Sequence, residues 1–114
     1  MSEDCLFCKI ASGDIPADLV YEDDKVLAFR DINPQAPVHT LVIPRKHINT
    51  INDATSEDES LLGYMMLVAA KIAKDNEVHE SGYRLIVNCN EQGGQTVFHI
   101  HLHLLAGRQL THLG

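Results

Sequence analysis

The sequence predicts an α+β domain, an antiparallel sheet backed by one long helix. Three observations predict it. Strand-like runs outnumber helical ones and fall in adjacent groups. Only one segment, 56–76, has the length and apolar spacing of a long amphipathic helix. The last two strand runs are joined by a loop too short for a parallel crossover, so they must pair as a hairpin. At 114 residues the chain reads as a single domain over 1–114, long enough for a real core.

The elements follow in order. Residues 4–12 read as a short helix capped by Asp4 and ended by Gly13. Residues 19–21 and 26–30 are short β-prone runs around a turn at 22–25, the pattern of a hairpin. Pro34 and Pro37 make 31–38 an irregular loop. Residues 39–43 form a strand stopped by Pro44. Ser56 with Glu59 three residues on has the form of a capping box and opens the long helix. Its apolar face is Leu61, Leu62, Met65, Met66, Val68, Ala69, Ile72 and Ala73. A strand over 83–88, a glycine-containing loop over 90–95 and a strand over 96–105 complete the sheet; the tail from 106 has no pattern. Tyr64, Met65 and Tyr83 read as packing residues, Cys89 as a packed thiol, and His79 and His112 as surface or tail residues.

Composition narrows the function. No uninterrupted apolar run can span a bilayer. The acidic start Met1-Ser2-Glu3-Asp4 lacks the basic and apolar regions of a signal peptide, so a cytoplasmic protein with no membrane association is expected. A net charge of −7 argues against nucleic-acid binding, which needs clustered Lys and Arg, but not against a small nucleotide in one local pocket. Three cysteines in a reducing compartment are not a disulfide framework.

The chemistry concentrates in His99-Ile100-His101-Leu102-His103-Leu104-Leu105. On a strand the three imidazoles share one face and the aliphatics the other. Solvent faces usually carry Lys, Glu and Thr, so three histidines in register point to a site. A single metal cannot bind all three, because they span roughly 13 Å and ligand distances are about 2 Å. Two adjacent ones can share an ion, or the three can divide covalent and acid–base roles. Cys5-x-x-Cys8 is half a zinc site, two packed thiols or a redox pair; the βαβ context of a redox pair is absent. Candidates for the other half are His47 and one triad histidine. The loop Gln92-Gly93-Gly94-Gln95-Thr96 can bring backbone N–H groups to a phosphate, although Gly-Gly alone is more often an ordinary hairpin loop. Asn88 and His39 stand where they could face the same site.

These residues resemble the histidine triad family. The His-x-His-x-His-x-x run carries the resemblance, extended by 29–39, by Leu41-Val42-Ile43-Pro44-Arg45-Lys46-His47 and by 93–99, blocks similar to the histidine triad nucleotide-binding, purine nucleoside phosphoramidase branch. The likeness covers about 5–109. It implies an α+β fold whose homodimer joins two five-stranded sheets. It implies a purine nucleoside monophosphate, or its phosphoramidate or acyl derivative, as ligand. By motif position His101 is the nucleophile, forming a nucleotidyl-histidine that water cleaves. His103 and His39 then contact phosphate oxygens or the leaving group. Backbone N–H groups of Gln95, Thr96 and Val97, the Thr96 hydroxyl and Asn88 stabilise developing charge. Asp31 fits the ribose ligand, and Phe7, Ile10, Ile15, Phe29 and Ile32 the slot for the base. The branch often has Ser at the position of Thr96, so the added methyl narrows the pocket. Many close relatives lack the Cys5/Cys8 pair. Other histidine triad proteins join such a pair to the histidines placed like His47 and His99 around structural zinc, and all four ligands are present here. A dinucleoside polyphosphate hydrolase, a nucleotidyl transferase and a nucleotide-binding regulatory module are the competing readings.

Overall fold

The computed structural model describes residues 4–114; residues 1–3, within the acidic N-terminal stretch, lie outside it. The chain runs α1 (Leu6–Ser12), β1 (Leu19–Glu22), β2 (Val26–Arg30), β3 (Val38–Pro44), α2 (Glu59–Asp75), β4 (Tyr83–Val87) and β5 (Leu102–Ala106). Two single turns of 3-10 helix, Ile51–Asp53 and Ser56–Asp58, lead into α2. All five strands make one antiparallel sheet in the order β1-β2-β3-β5-β4. Both predicted hairpins form, and β5 is inserted between β3 and β4. No helix among the described residues is long and apolar enough to cross a membrane.

Strand alternation gives the sheet two working faces. Val26, Ala28, Val42, Leu102, Leu104 and Ala106 pack on Met65, Val68, Ala69, Ile72 and Ala73 of α2. Those helix positions recur at i, i+3, i+4, i+7 and i+8, one stripe of an α-helix. The opposite face carries Leu27, Phe29, Leu41 and Ile43 against Cys5 and Phe7 of the α1 segment. That second face also carries the histidines.

Several boundaries differ from the sequence expectation. Cys5, not Asp4, caps α1: its sulfur accepts from the Cys8 N–H, and the exposed Asp4 lies outside the helix. Gly13 does end it, in a left-handed conformation (φ 86°) that only glycine adopts without strain. The capping box before α2 is Thr55 with Asp58 rather than Ser56 with Glu59, because the first turn winds as a 3-10 helix. β4 stops at Val87, leaving Asn88 beyond its end. β5 begins at Leu102, not near Thr96: β4 ends at Val87, and although β3 continues to Pro44 the chain before Leu102 turns away from it, so that the Ile100 N–H donates to Ile48 O at 2.8 Å. Met66 and Tyr83 are exposed, Met66 on the outer side of α2 and Tyr83 on the edge strand. His79 and His112 are exposed and Cys89 is half-buried. The tail is held at two points, by Arg108 donating to Gln35 O at 3.0 Å and Arg84 donating to His112 O at 2.6 Å.

A polar knot fastens the β1–β2 turn to α2. Asp23 Oδ1 accepts the Lys25 and Val26 N–H groups, each at 2.8 Å, and Oδ2 accepts the hydroxyls of Tyr21 and Tyr64. Partial burial opposes ionisation of Asp23, but these hydrogen bonds outweigh it and hold the carboxyl well below the usual range.

Candidate active site

Two clusters of titratable side chains lie on the α1 side of the sheet. The first is Cys5, Cys8, His47 and His99, whose ligand atoms all fall within 4.8 Å of one another. Cys5 and Cys8 come from the start of α1, His47 from the turn after Pro44, and His99 from the approach to β5. His99 Nδ1 lies 3.3 Å from Cys5 Sγ and 3.5 Å from Cys8 Sγ, and His47 Nδ1 lies 3.1 Å from Cys8 Sγ. Ligand bonds of about 2.3 Å to sulfur and 2.0–2.1 Å to nitrogen place S and N roughly 3.5 Å apart around a tetrahedral zinc ion. The tautomers fit as well. His99 donates from Nε2 to Pro44 O at 2.8 Å, and His47 Nε2 meets Asn49 Oδ1 at 2.5 Å. Each ring keeps its proton on Nε2 and offers the Nδ1 lone pair to the cluster. Burial further depresses the His99 pKa, favouring the neutral ligand form.

The second cluster is Asp31, His39 and His103, also within 4.8 Å of one another, and here the tautomers disfavour a metal. The Gln35 N–H donates to His39 Nδ1 at 3.0 Å, so the His39 proton sits on Nε2. That proton faces His103 Nδ1 at 2.9 Å, with Asp31 Oδ2 farther off at 3.4 Å. His39 therefore has no lone pair to give an ion at Nε2. His103, an acceptor at Nδ1, carries its own proton on Nε2. The register makes this contact: Leu41 pairs with His103 and His39 with Leu105, so the two histidines are diagonal neighbours on one face.

His101 stands between the clusters. Its Nδ1 donates to His99 O at 2.8 Å, leaving the Nε2 lone pair unused. Its ring centroid lies 5.0 Å from Phe7, edge to face, and 5.0 Å from His103. Burial lowers the pKa of His101 and of His39. His103 is pushed down to about 4, by burial first and then by the neighbouring His101 and His39. All three are neutral at pH 7.

His101 and His103 line a cleft of about 290 Å³. Phe7, Ile10, Ile15, Phe29 and Ile32 give it apolar walls, and Asp31, Thr96 and Val97 line it too. Phe7 and Phe29 meet edge to face at 5.6 Å. A larger groove of about 640 Å³ borders it at Leu6, Thr96 and Val97 but contains neither His101 nor His103. Chemistry, not size, selects the smaller cleft.

Most residues predicted for the nucleotide side line this cleft; three do not. His39, expected to contact phosphate or the leaving group, reaches the cleft only through its bond to His103. The Asn88 side chain donates to Gly93 O at 2.6 Å and is not among the cleft-lining residues. Gln95 is buried and spends its side chain within the protein. Gly93 is required where it is, since a Cβ there would lie 2.5 Å from Cys89 O. The sequence reading missed Leu6, Leu41 and the Asp18–Arg30 pair, bonded at 3.0 Å, as cleft residues. It also missed Asn49, whose position two residues after His47 was the available signal.

The HIT domain model matches residues 12–110. The purine nucleoside phosphoramidase of Escherichia coli K12 is 56% identical over 110 residues, covering 96% of this chain and 92% of that protein. Among solved structures, a HIT family hydrolase from Legionella pneumophila superimposes with a TM-score of 0.94 at 58% identity, covering 95% and 96% of the two chains. A histidine triad protein from Clostridium difficile gives 0.96 at 46% identity, covering 100% and 99%. The shared fold and the nearly full-length identity lead to one assignment: the chain belongs to the HIT domain family.

Proposed function

We propose that this protein hydrolyses purine nucleoside 5′-phosphoramidates or acyl-nucleotides through a nucleotidyl-His101 intermediate. The observation that carries the reading is the state of His101: neutral, with Nδ1–H engaged by His99 O and Nε2 bare beside the cleft. The similarity to a purine nucleoside phosphoramidase supports the substrate class. The apolar walls receive the base, and the Asp31 carboxylate accepts ribose hydroxyl protons. His101 Nε2 attacks the α-phosphorus; a P–N bond to the ring forms as the bond to the leaving amine breaks. The amine leaves with the proton that His103 carries on Nε2, and the water that cleaves the intermediate returns one to that nitrogen; an acyl group leaves as its carboxylate. His103, with its proton on Nε2, hydrogen-bonds the departing group or a phosphate oxygen, and the Thr96 hydroxyl and nearby backbone N–H groups meet developing charge. Splitting one displacement into two is the gain of covalent catalysis.

Cys5, Cys8, His47 and His99 would hold a structural zinc ion, whose contribution is to cross-link the start of α1 to the turn after β3 and to the approach to β5. A homodimer formed through the β4 edge agrees with the place of that strand at the end of the sheet and with its exposed Tyr83 and Val87. The cytoplasm is the compartment that keeps Cys5 and Cys8 reduced, as zinc ligation requires.

The test is turnover by the purified protein of adenosine 5′-phosphoramidate against diadenosine polyphosphate. Faster cleavage of the phosphoramidate is expected. Preference for the polyphosphate would replace this reading with a dinucleoside polyphosphate hydrolase, and AMP binding without any turnover would make the protein a binding module.

A further inference from the structure

Gln95 is only 5% exposed, and protein groups satisfy its side chain completely. Its Oε1 accepts the Asn90 N–H at 2.8 Å; its Nε2 donates to Val97 O at 3.1 Å and to Asn49 O at 2.8 Å. The other hydrogen bonds of this loop stay inside it: Gly93 N–H and Gln95 N–H to Asn90 O, Gly94 N–H to Glu91 O, and Asn88 to Gly93 O. Residues 90–94 are exposed. The bond from Gln95 to Asn49 is thus the loop's tie to the turn that carries His47. Asn49 has a second bond, to the Nε2 proton of His47, a member of the Cys₂His₂ cluster.

We infer that Asn49 and Gln95 form a strut through which metal in the Cys₂His₂ cluster orders the phosphate-side loop at 90–97. The inference rests on the zinc reading above and adds a regulatory consequence to it. Zinc on His47 Nδ1 fixes the ring and makes its Nε2–H a stronger donor, which holds Asn49. Asn49 is exposed, so without the metal its bond to a half-buried imidazole competes with water. Loss of that bond releases the carbonyl that anchors Gln95, and Thr96 and Val97, which line the cleft, follow directly in the chain.

Metal also pins α1, and with it the wall of the base slot, so AMP affinity alone cannot isolate the strut. Amide hydrogen exchange can. The full chain is measured zinc-loaded and chelator-stripped, as wild type, Asn49→Ala and Asn49→Asp, with zinc content determined in each and zinc in excess for the loaded samples. Stripping wild type is expected to speed exchange at the Asn90, Gly93, Gly94 and Gln95 amides about ten-fold, within the usual range of coupling between sites. Asn49→Ala should exchange fast with or without zinc, and Asn49→Asp, which keeps the acceptor, should restore the difference. Equal exchange in loaded and stripped wild type overturns the inference and leaves the zinc reading standing. So does an Asn49→Ala protein that keeps the full difference. A wild type that binds no zinc overturns both.

Discussion

His101 Nδ1 donates to the carbonyl of His99 at 2.8 Å, while the His99 ring faces the Cys5 and Cys8 thiols. One residue thus belongs to the Cys₂His₂ cluster by its side chain and orients His101, the proposed nucleophile, by its backbone. Substituting His101 tests the division directly. His101→Ala should lower kcat for adenosine phosphoramidate by at least about 10³-fold while AMP still binds. Full residual turnover in a steady-state assay would falsify the assignment of the nucleophile.

His39 donates to His103 Nδ1 and so fixes its tautomer. His39→Ala should reduce kcat roughly 10- to 100-fold with little change in KM. A comparable rise in KM, with kcat unchanged, would mean instead that His39 binds substrate.

The zinc prediction is independent of turnover. Elemental analysis of protein purified without added metal should find about one zinc per chain, the capacity of a single four-ligand site, and Cys5→Ala should lose it. Metal present at about a thousand times its dissociation constant adds about 4 kcal/mol to folding, so stripping should lower Tm by roughly 15 °C. An unchanged Tm with no metal detected would return the cysteines to core packing.

Acid should affect activity and stability in a defined window. Burial lowers the pKa of His101 and His39 below the ordinary histidine value and pushes that of His103 down to about 4. Activity should therefore persist to some pH below 6.5 before it declines, and be lost by the pH of about 4 at which His103 takes up a proton. For stability the sign is equally fixed. Unfolded histidines take up protons that the folded ones refuse, so stability is fully present above pH 6.5 and declines as pH falls toward 4. Urea midpoints and rates measured from neutral pH downward check both; a maximum near pH 5 contradicts this account.

Asp23 is a stability residue remote from the reaction. Asp23→Ala removes the acceptor of two backbone N–H groups and two tyrosine hydroxyls. It should cost about 2 kcal/mol, or roughly 8 °C in Tm, with kcat/KM at 25 °C unchanged. A Tm within a degree of wild type would show that water replaces these bonds.

Much of this was legible along the chain. Apolar periodicity located α2, and β-prone runs bounded by turn residues located β1 to β4 to within a residue or two. Alternation put Ile100, Leu102 and Leu104 on the α2 side and the histidines on the other, even though the paired strand starts only at Leu102. Less legible was whatever depends on where partners end. The start of β5 follows from the end of β4 and from the Ile100 bond to Ile48, and the cap of α1 from a sulfur that also faces the Cys₂His₂ cluster.

By itself the sequence determined which residues can do chemistry: three alternating histidines, a Cys-x-x-Cys pair, a glycine loop and an apolar set for a base. These are local facts, set by residue type and by spacings of two or three. Tertiary structure alone decided how they divide. Inserting β5 beside β3 brought His39 Nε2 within 2.9 Å of His103 Nδ1, across 64 positions. The tertiary fold also set the His101 ring edge to face against Phe7 and tied the loop at 90–97 to the turn of His47 through Asn49 and Gln95. Burial, and the long-range contacts among these side chains, depend on neighbours distant in sequence, and no spacing along the chain encodes them.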